Sequence, residues 1–240
     1  MRKLGIIAPI DGIACAYYAS VFNADVQRRL GQEHSAQFMA IGFNKADYLL
    51  QEEKWWTLTQ TLKAYIRDLA RGGAEAVILC PLVWYRFFDD LVEGAPIPLF
   101  HPVDALEREM TRRGAPKRGS IGLVASSLSA CPGALLDRFA GSNGREVILP
   151  AKEELLVLDG IGTQVSQQGF ARHHTGCEVR RIIDGLRFAG AQSIVVGCAE
   201  IANLLQPGDF ANDCYNLSQI HASAAADWMF GYYPKISPQF

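Results

Sequence analysis

The sequence predicts an α/β protein built by duplication: two similar three-layer lobes with parallel sheets, related by pseudo-two-fold symmetry, with a cleft between them. Three observations carry this expectation. Short apolar runs alternate with longer helical patterns, the arrangement that produces a parallel sheet. The run Gly73-Ala74-Glu75-Ala76-Val77-Ile78-Leu79 matches Gly190-Ala191-Gln192-Ser193-Ile194-Val195-Val196, and Gly5-Ile6-Ile7-Ala8-Pro9 matches Gly122-Leu123-Val124-Ala125-Ser126, both at an offset of 117 residues; two matches at one offset indicate a repeated unit. The chain has 240 residues and is 49% apolar, enough to bury a substantial core without disulfide staples.

Apolar runs that read as buried strands occur at 3–8, 36–43, 76–80, 97–100, 120–125, 146–149 and 193–197. Between them, Trp56, Leu58, Leu62, Tyr65, Ile66 and Leu69 recur at three- and four-residue steps, and Gly72-Gly73 closes that helix as a C-terminal stop. The stretch from Arg180 to Ala189 repeats the pattern before Gly190. Arg112-Arg113-Gly114-Ala115-Pro116-Lys117 is the most linker-like segment. The expected division is therefore 1–113 with 214–240 as the first lobe and 114–213 as the second.

The 23 basic and 25 acidic residues leave a net charge of −2 and are interspersed. No basic stripe points to nucleic acid and no polybasic segment to a membrane. The expected partner is a small-molecule substrate or a second copy of the chain. The N-terminus runs straight into an apolar strand too short for a secretory core, and no run approaches about 18 apolar residues, so the expected location is the cytoplasm. Cys15, Cys80, Cys131, Cys177, Cys198 and Cys214 show no CxxC spacing, and His173 and His174 diverge if helical; neither set suggests a metal site. Without a phosphate-cradling glycine loop or a pyridoxal lysine motif, no cofactor is expected.

Ligand chemistry in parallel α/β sheets gathers at strand C-termini. This places the candidate site in the loops after residues 8, 80, 125 and 197. Cys198 is the leading catalytic residue, at a strand end beside Gly197, where the backbone can approach a ligand. The repeat puts Pro81, not Cys80, opposite it, and a one-residue shift at a strand end turns a side chain to the other face. Cys80 therefore reads first as a packing residue and second as a possible catalytic thiol. Asp11 is a possible acid or base, although Asp-Gly also reads as a turn. Trp84, Tyr85, Phe87 and Phe88 follow the first-lobe strand and suggest an enlarged apolar or aromatic pocket, with Tyr85 able to offer its hydroxyl there; inward packing of Phe87 or Phe88 is the alternative. Glu200 either tunes the following helix end or contacts substrate.

At these loops the chain resembles the cofactor-independent aspartate/glutamate racemase superfamily, nearest its aspartate racemase branch. The resemblance spans almost the whole length and rests on Gly197-Cys198-Ala199-Glu200 (Gly-Cys-Thr-Glu in the family), Arg29-Leu30-Gly31 followed by His34-Ser35-Ala36, Tyr17-Tyr18, Gly73-Ala74-Glu75 and Ile220-His221-Ala222. It implies a homodimer, two α/β lobes, and one acid/base residue from each lobe flanking the substrate α-carbon. Carried over, Cys198 matches the second-lobe catalytic residue, and Ser126 and Ser129 match hydroxyl positions. Ser127, Ala199 and Glu200 complete that side of the binding region. The first-lobe pattern Cys/Thr-Asn-Thr-x-His is replaced by Pro81-Leu82-Val83-Trp84-Tyr85, so Pro81, Leu82, Val83 and Trp84 stand at substrate-binding positions without the expected polar groups. Asn216 stands where the family often has Asp.

A two-base racemase needs a titratable group on each face of the carbon, and donors aimed at the carboxyl oxygens supply a large part of the catalysis. The leading expectation is thus an enzyme with one retained cysteine, doing one-sided proton or nucleophilic chemistry on a small, relatively apolar carboxylic or acyl substrate by isomerisation, decarboxylation or cyclisation. The resemblance supplies a parallel in arylmalonate decarboxylases, which keep only the second cysteine. The alternatives are a two-base amino-acid racemase using Cys198 with Cys80 or Asp11, and a catalytically silent ligand-binding or structural homologue. A working Cys198 is expected to have a depressed pKa.

Overall fold

Each of two strands, β1 (Leu4–Pro9) and β4 (Ile121–Val124), lies inside its own parallel sheet. The computed structural model describes residues 1–9, 13–43, 55–80, 82–127, 130, 136–168, 175–210 and 212–232. The chain divides into two compact units, Met1–His101 with His221–Phe240, and Pro102–Ile220.

In unit 1, β1 is flanked by β2 (Phe38–Phe43) and β3 (Ala76–Leu79), in the order β2-β1-β3. Helix α1 (Ile13–Leu30) follows β1 and buries Ala14, Tyr18, Phe22 and Val26, one residue per turn on a single stripe. Helix α2 (Trp55–Arg71) buries Leu58, Thr59, Leu62, Ile66 and Leu69. After β3 the chain makes a 3-10 helix, Leu82–Phe87, and the short α3 (Phe88–Val92).

Unit 2 begins with α4 (Pro102–Arg112), followed by β4, α5 (Leu136–Asn143), β5 (Val147–Ile148), α6 (Lys152–Gln168) and α7 (Thr175–Phe188). It continues through β6 (Ser193–Val196), α8 (Ala199–Ala202) and β7 (Cys214–Asn216), giving the sheet order β5-β4-β6-β7. The final helix, α9 (Leu217–Met229), starts directly after β7 and carries the chain back to unit 1.

The repeat is visible atom by atom. Ile7 pairs with Leu79 in unit 1 as Val124 pairs with Val196 in unit 2. Gly73 and Gly190 both end their helices at positive φ, +91° and +101°, where a Cβ would be strained. The Ala74 N–H donates to the Leu69 carbonyl and the Ala191 N–H to the Leu186 carbonyl, both at about 3 Å. Gly5 and Gly122 each let a helix close on the central strand: an added Cβ would meet Leu69 Cδ1 at 3.0 Å in the first case and Leu186 Cβ at 3.0 Å in the second.

The structure corrects three expectations about organisation. The lobe boundary falls at His101/Pro102 rather than 113/114, because α4 and its neighbours are tied to unit 2. Arg113 donates to the carbonyls of Phe210 (3.1 Å) and Cys214 (3.3 Å), and the buried Arg145 grips Glu107 through two nitrogens. Residues 214–216, expected in the first lobe, form the edge strand β7 paired with β6. The run at 97–100 makes only an isolated bridge, Val77 with Leu99, since Pro96 and Pro98 remove the donors that a ladder needs. Beyond α9, the described residues up to Tyr232 pack within unit 1. Trp228 meets Phe100 edge to face at 5.5 Å and lies under Arg2, while Phe230 and Tyr232 stack beside Arg29. No described helix is long and apolar enough to cross a membrane.

Candidate active site

Strand β6 ends at Val196, and the Gly197 N–H continues the ladder by donating to the Val124 carbonyl at 2.8 Å. The absence of a Cβ matters here, since one at Gly197 would sit 3.2 Å from the Ala125 Cβ. Cys198 follows as the residue preceding α8, in extended conformation with φ −124° and ψ 132°. Its Sγ accepts the Ser126 N–H at 3.4 Å. The next amide, Ser127 N–H, donates to Asp159 Oδ1 at 2.9 Å, reaching across to α6. The turn after β4 is closed by Ala130 N–H donating to the Ser126 carbonyl at 2.9 Å. Two consecutive backbone amides thus hold a thiol and a carboxylate.

Cys198 is half-buried as a residue, and its thiol is strongly desolvated. Burial, reinforced by the negative charges of Glu200 and Asp159, pushes its pKa up to about 12 against the opposing hydrogen bonds from Ser126. This reverses the expected depression: the thiol is neutral at physiological pH and a proton donor at rest. Ala199 is buried behind it, and Glu200 is half-buried in the first turn of α8. Asn216 ends β7 and caps α9, its Oδ1 accepting the Gln219 N–H at 3.1 Å.

The matching strand end of unit 1 has a different character. The Cys80 N–H donates to the Ile7 carbonyl at 3.0 Å, the bond that Gly197 makes in unit 2. Cys80 therefore occupies the glycine position of the repeat and is buried. The aromatic residues beyond it pack against one another and against the rest of unit 1. Trp84 lies 4.2 Å from Phe43 between ring centroids, Tyr85 stacks near Phe88, and Phe88 meets His101 edge to face at 4.8 Å; Trp84, Tyr85, Phe87 and Phe88 are all buried in unit 1. This is the inward packing that the sequence offered as the alternative for Phe87 and Phe88, extended to Trp84 and Tyr85. Leu82 is buried in the same 3-10 helix and Val83 is half-buried.

Tyr85 does not present a free hydroxyl. That oxygen accepts the Leu79 N–H at 3.1 Å and lies 3.3 Å from His221 Nε2. His221 Nδ1 is in turn 2.9 Å from the Tyr18 hydroxyl. Burial depresses the His221 pKa to about 3 and raises that of Tyr85 well above the usual tyrosine value, so both are neutral. Sequence reasoning identified Tyr18 and His221 only through the resemblance; nothing in their spacing announced a contact across 203 residues. Asp159 was missed altogether, since one acid in the middle of an apolar-rich helix gives no local signal. Asp11, Pro81 and Ser129 lie outside the described residues. A cavity of about 500 Å³ opens in unit 1 among Met1, Leu30, Glu75 and Phe230, at the N-terminal edge of the sheet. Strand-end chemistry lies at the other edge, so this cavity is not the candidate site.

Two parallel-sheet units of one repeated plan, with a cysteine at the end of the second unit's central ladder, place the chain in a class of duplicated α/β proteins. The chain belongs to the Asp/Glu/hydantoin racemase family, whose model matches residues 4–224. Its structure is similar to that of a candidate Asp/Glu racemase from Yersinia pestis, with 28% identity, a TM-score of 0.83, and coverage of 96% of this chain and 100% of the other. An aspartate racemase homologue from Pyrococcus horikoshii shares the fold at 20% identity and a TM-score of 0.80, over 96% and 100% of the two chains. Arylmalonate decarboxylase shares it more distantly, at 14% identity and a TM-score of 0.53, over 95% and 92%.

Proposed function

We propose that this family member uses Cys198 as a lone proton donor to a carbanion-like centre beside an acyl or carboxyl group. The observation that carries this reading is the thiol itself, neutral at rest and in contact with the Ser126 N–H. When a proton leaves sulfur for carbon, the new thiolate is met by an amide already aimed at it, a fixed donor that needs no reorganisation. Solvent then returns a proton to the sulfur. In unit 1 the comparable thiol, Cys80, takes the glycine position and is buried, and the aligned residue is Pro81, which has no titratable group. Among the reactions expected from sequence, decarboxylation and isomerisation both generate a carbanion that one acid can quench. The substrate is a small carboxylic or acyl compound, less polar than aspartate.

Family membership and the likeness to the Yersinia pestis protein favour a second reading, a two-base amino-acid racemase. Incubation in heavy water with a panel of amino acids and of acyl or aryl carboxylic acids separates the two. A lone donor labels a single product enantiomer, and Cys198→Ser abolishes the labelling. Label in both enantiomers of one amino acid would overturn the one-thiol reading. Unchanged labelling in the serine variant would remove Cys198 from the chemistry.

A further inference from the structure

Resting on Cys198 as the working thiol, we propose that Asp159 is a specificity-determining residue: its carboxylate selects substrates that place an N–H-bearing or cationic group, and not a second carboxylate, beside the reacting carbon. The argument starts from adjacent tethers. Ser126 N–H holds the Cys198 sulfur and Ser127 N–H holds Asp159 Oδ1, so one peptide unit separates the two amides that fix them. The contact between α6 and α8 supports the same placement from the helix side.

Asp159 is half-buried. Among the described residues no lysine or arginine pairs with it. An ionised carboxylate offers about four acceptor positions, and the Ser127 N–H fills one of them. At the sulfur, the effect of Asp159 follows burial and that of Glu200. A ligand carboxylate brought to this place would meet like charge in a partly desolvated setting, whereas an ammonium or amide N–H would find an acceptor. Asp159 therefore distinguishes this site from one built for a dianion.

The test needs no knowledge of the substrate. Purified full-length protein is treated with methanethiosulfonates of matched size, carrying an ethylammonium or an ethylsulfonate group, and modification of Cys198 is followed by mass spectrometry. The ratio of the two rates cancels any change in thiolate fraction. The ratio should favour the cationic reagent in the wild type and fall about tenfold in Asp159→Asn, which retains an oxygen for the Ser127 N–H. Asp159→Glu, which retains the charge, should keep the wild-type preference. An equal ratio in the wild type and Asp159→Asn would overturn the proposal while leaving the Cys198 reading intact. A Cys198 that reacts with neither reagent even at about pH 10–11, while the exposed Cys177 reacts with both, would overturn the working-thiol reading and the proposal with it.

Discussion

The Nδ1 of His221 sits 2.9 Å from the hydroxyl of Tyr18, joining the last helix to the first. With Tyr85 on the other ring nitrogen, it forms a fully buried polar line that ends on the Leu79 N–H. Protonating this imidazole places a charge in the interior of unit 1. Its folded pKa, about 3, lies below the ordinary 6.5. The unfolded chain therefore binds the proton more readily, and the stabilising contribution is full above about pH 6.5 and is lost as pH falls toward 3. Urea titrations across that window should show wild-type stability dropping by several kcal/mol in total. His221→Gln should start less stable and show a shallower decline; equal slopes would remove His221 as the cause.

Tyr85→Phe should destabilise the protein by about 1–3 kcal/mol, because it leaves the buried Leu79 N–H without its acceptor. The global effect is measured by denaturant midpoint. Faster hydrogen exchange at Leu79 than in the wild type, with β1 amides less affected, would place the loss at the end of β3.

For Cys198 the raised pKa makes a kinetic prediction. Alkylation by iodoacetamide should climb about tenfold per pH unit past pH 9, where an ordinary thiol has begun to level off, and continue toward pH 12. Glu200→Gln removes one of the charges holding the proton on sulfur and should shift the curve to lower pH. A plateau near pH 8 or 9 in the wild type would contradict a desolvated thiol.

Which parts of this arrangement were readable in the sequence follows from the range of the interactions involved. The strands β1, β3, β4 and β6 and the glycines that end α2 and α7 were legible, because apolar runs and helix stops are local and occur twice at one offset. The strand-end position of Cys198 was legible because the apolar run of β6 leads directly into it. β7 was not, since Cys214-Tyr215-Asn216 is too short to show a period and is held by pairing with β6. The inward packing of Trp84 and Tyr85 depends on partners at Phe43 and His221, remote in sequence. The direction of the Cys198 pKa is set by burial, a property of the tertiary packing, with Glu200 and then Asp159 adding to it.

The two glycines of the repeat give the last prediction. A methyl at Gly122 would meet Ile194 Cδ1 at 2.8 Å, Leu186 Cβ at 3.0 Å and Ala191 Cβ at 3.1 Å. Two of those atoms are bonded directly to backbone and cannot rotate away, so either α7 or β4 must move. At Gly5 the nearest atoms are Leu69 Cδ1 and Val77 Cγ2, both at 3.0 Å; the leucine end can turn aside. Gly122→Ala should therefore destabilise by about 1–3 kcal/mol and Gly5→Ala by less. Gly185→Ala, inside α7 with open space around it, should stabilise by about 0.5–1 kcal/mol. Because β4 leads into Ser126, Gly122→Ala should also alter Cys198 alkylation, whereas Gly185→Ala should leave it unchanged. If Gly122→Ala proved neutral in both measurements, the close approach of α7 to the central strand would not be what fixes the amides beneath the thiol.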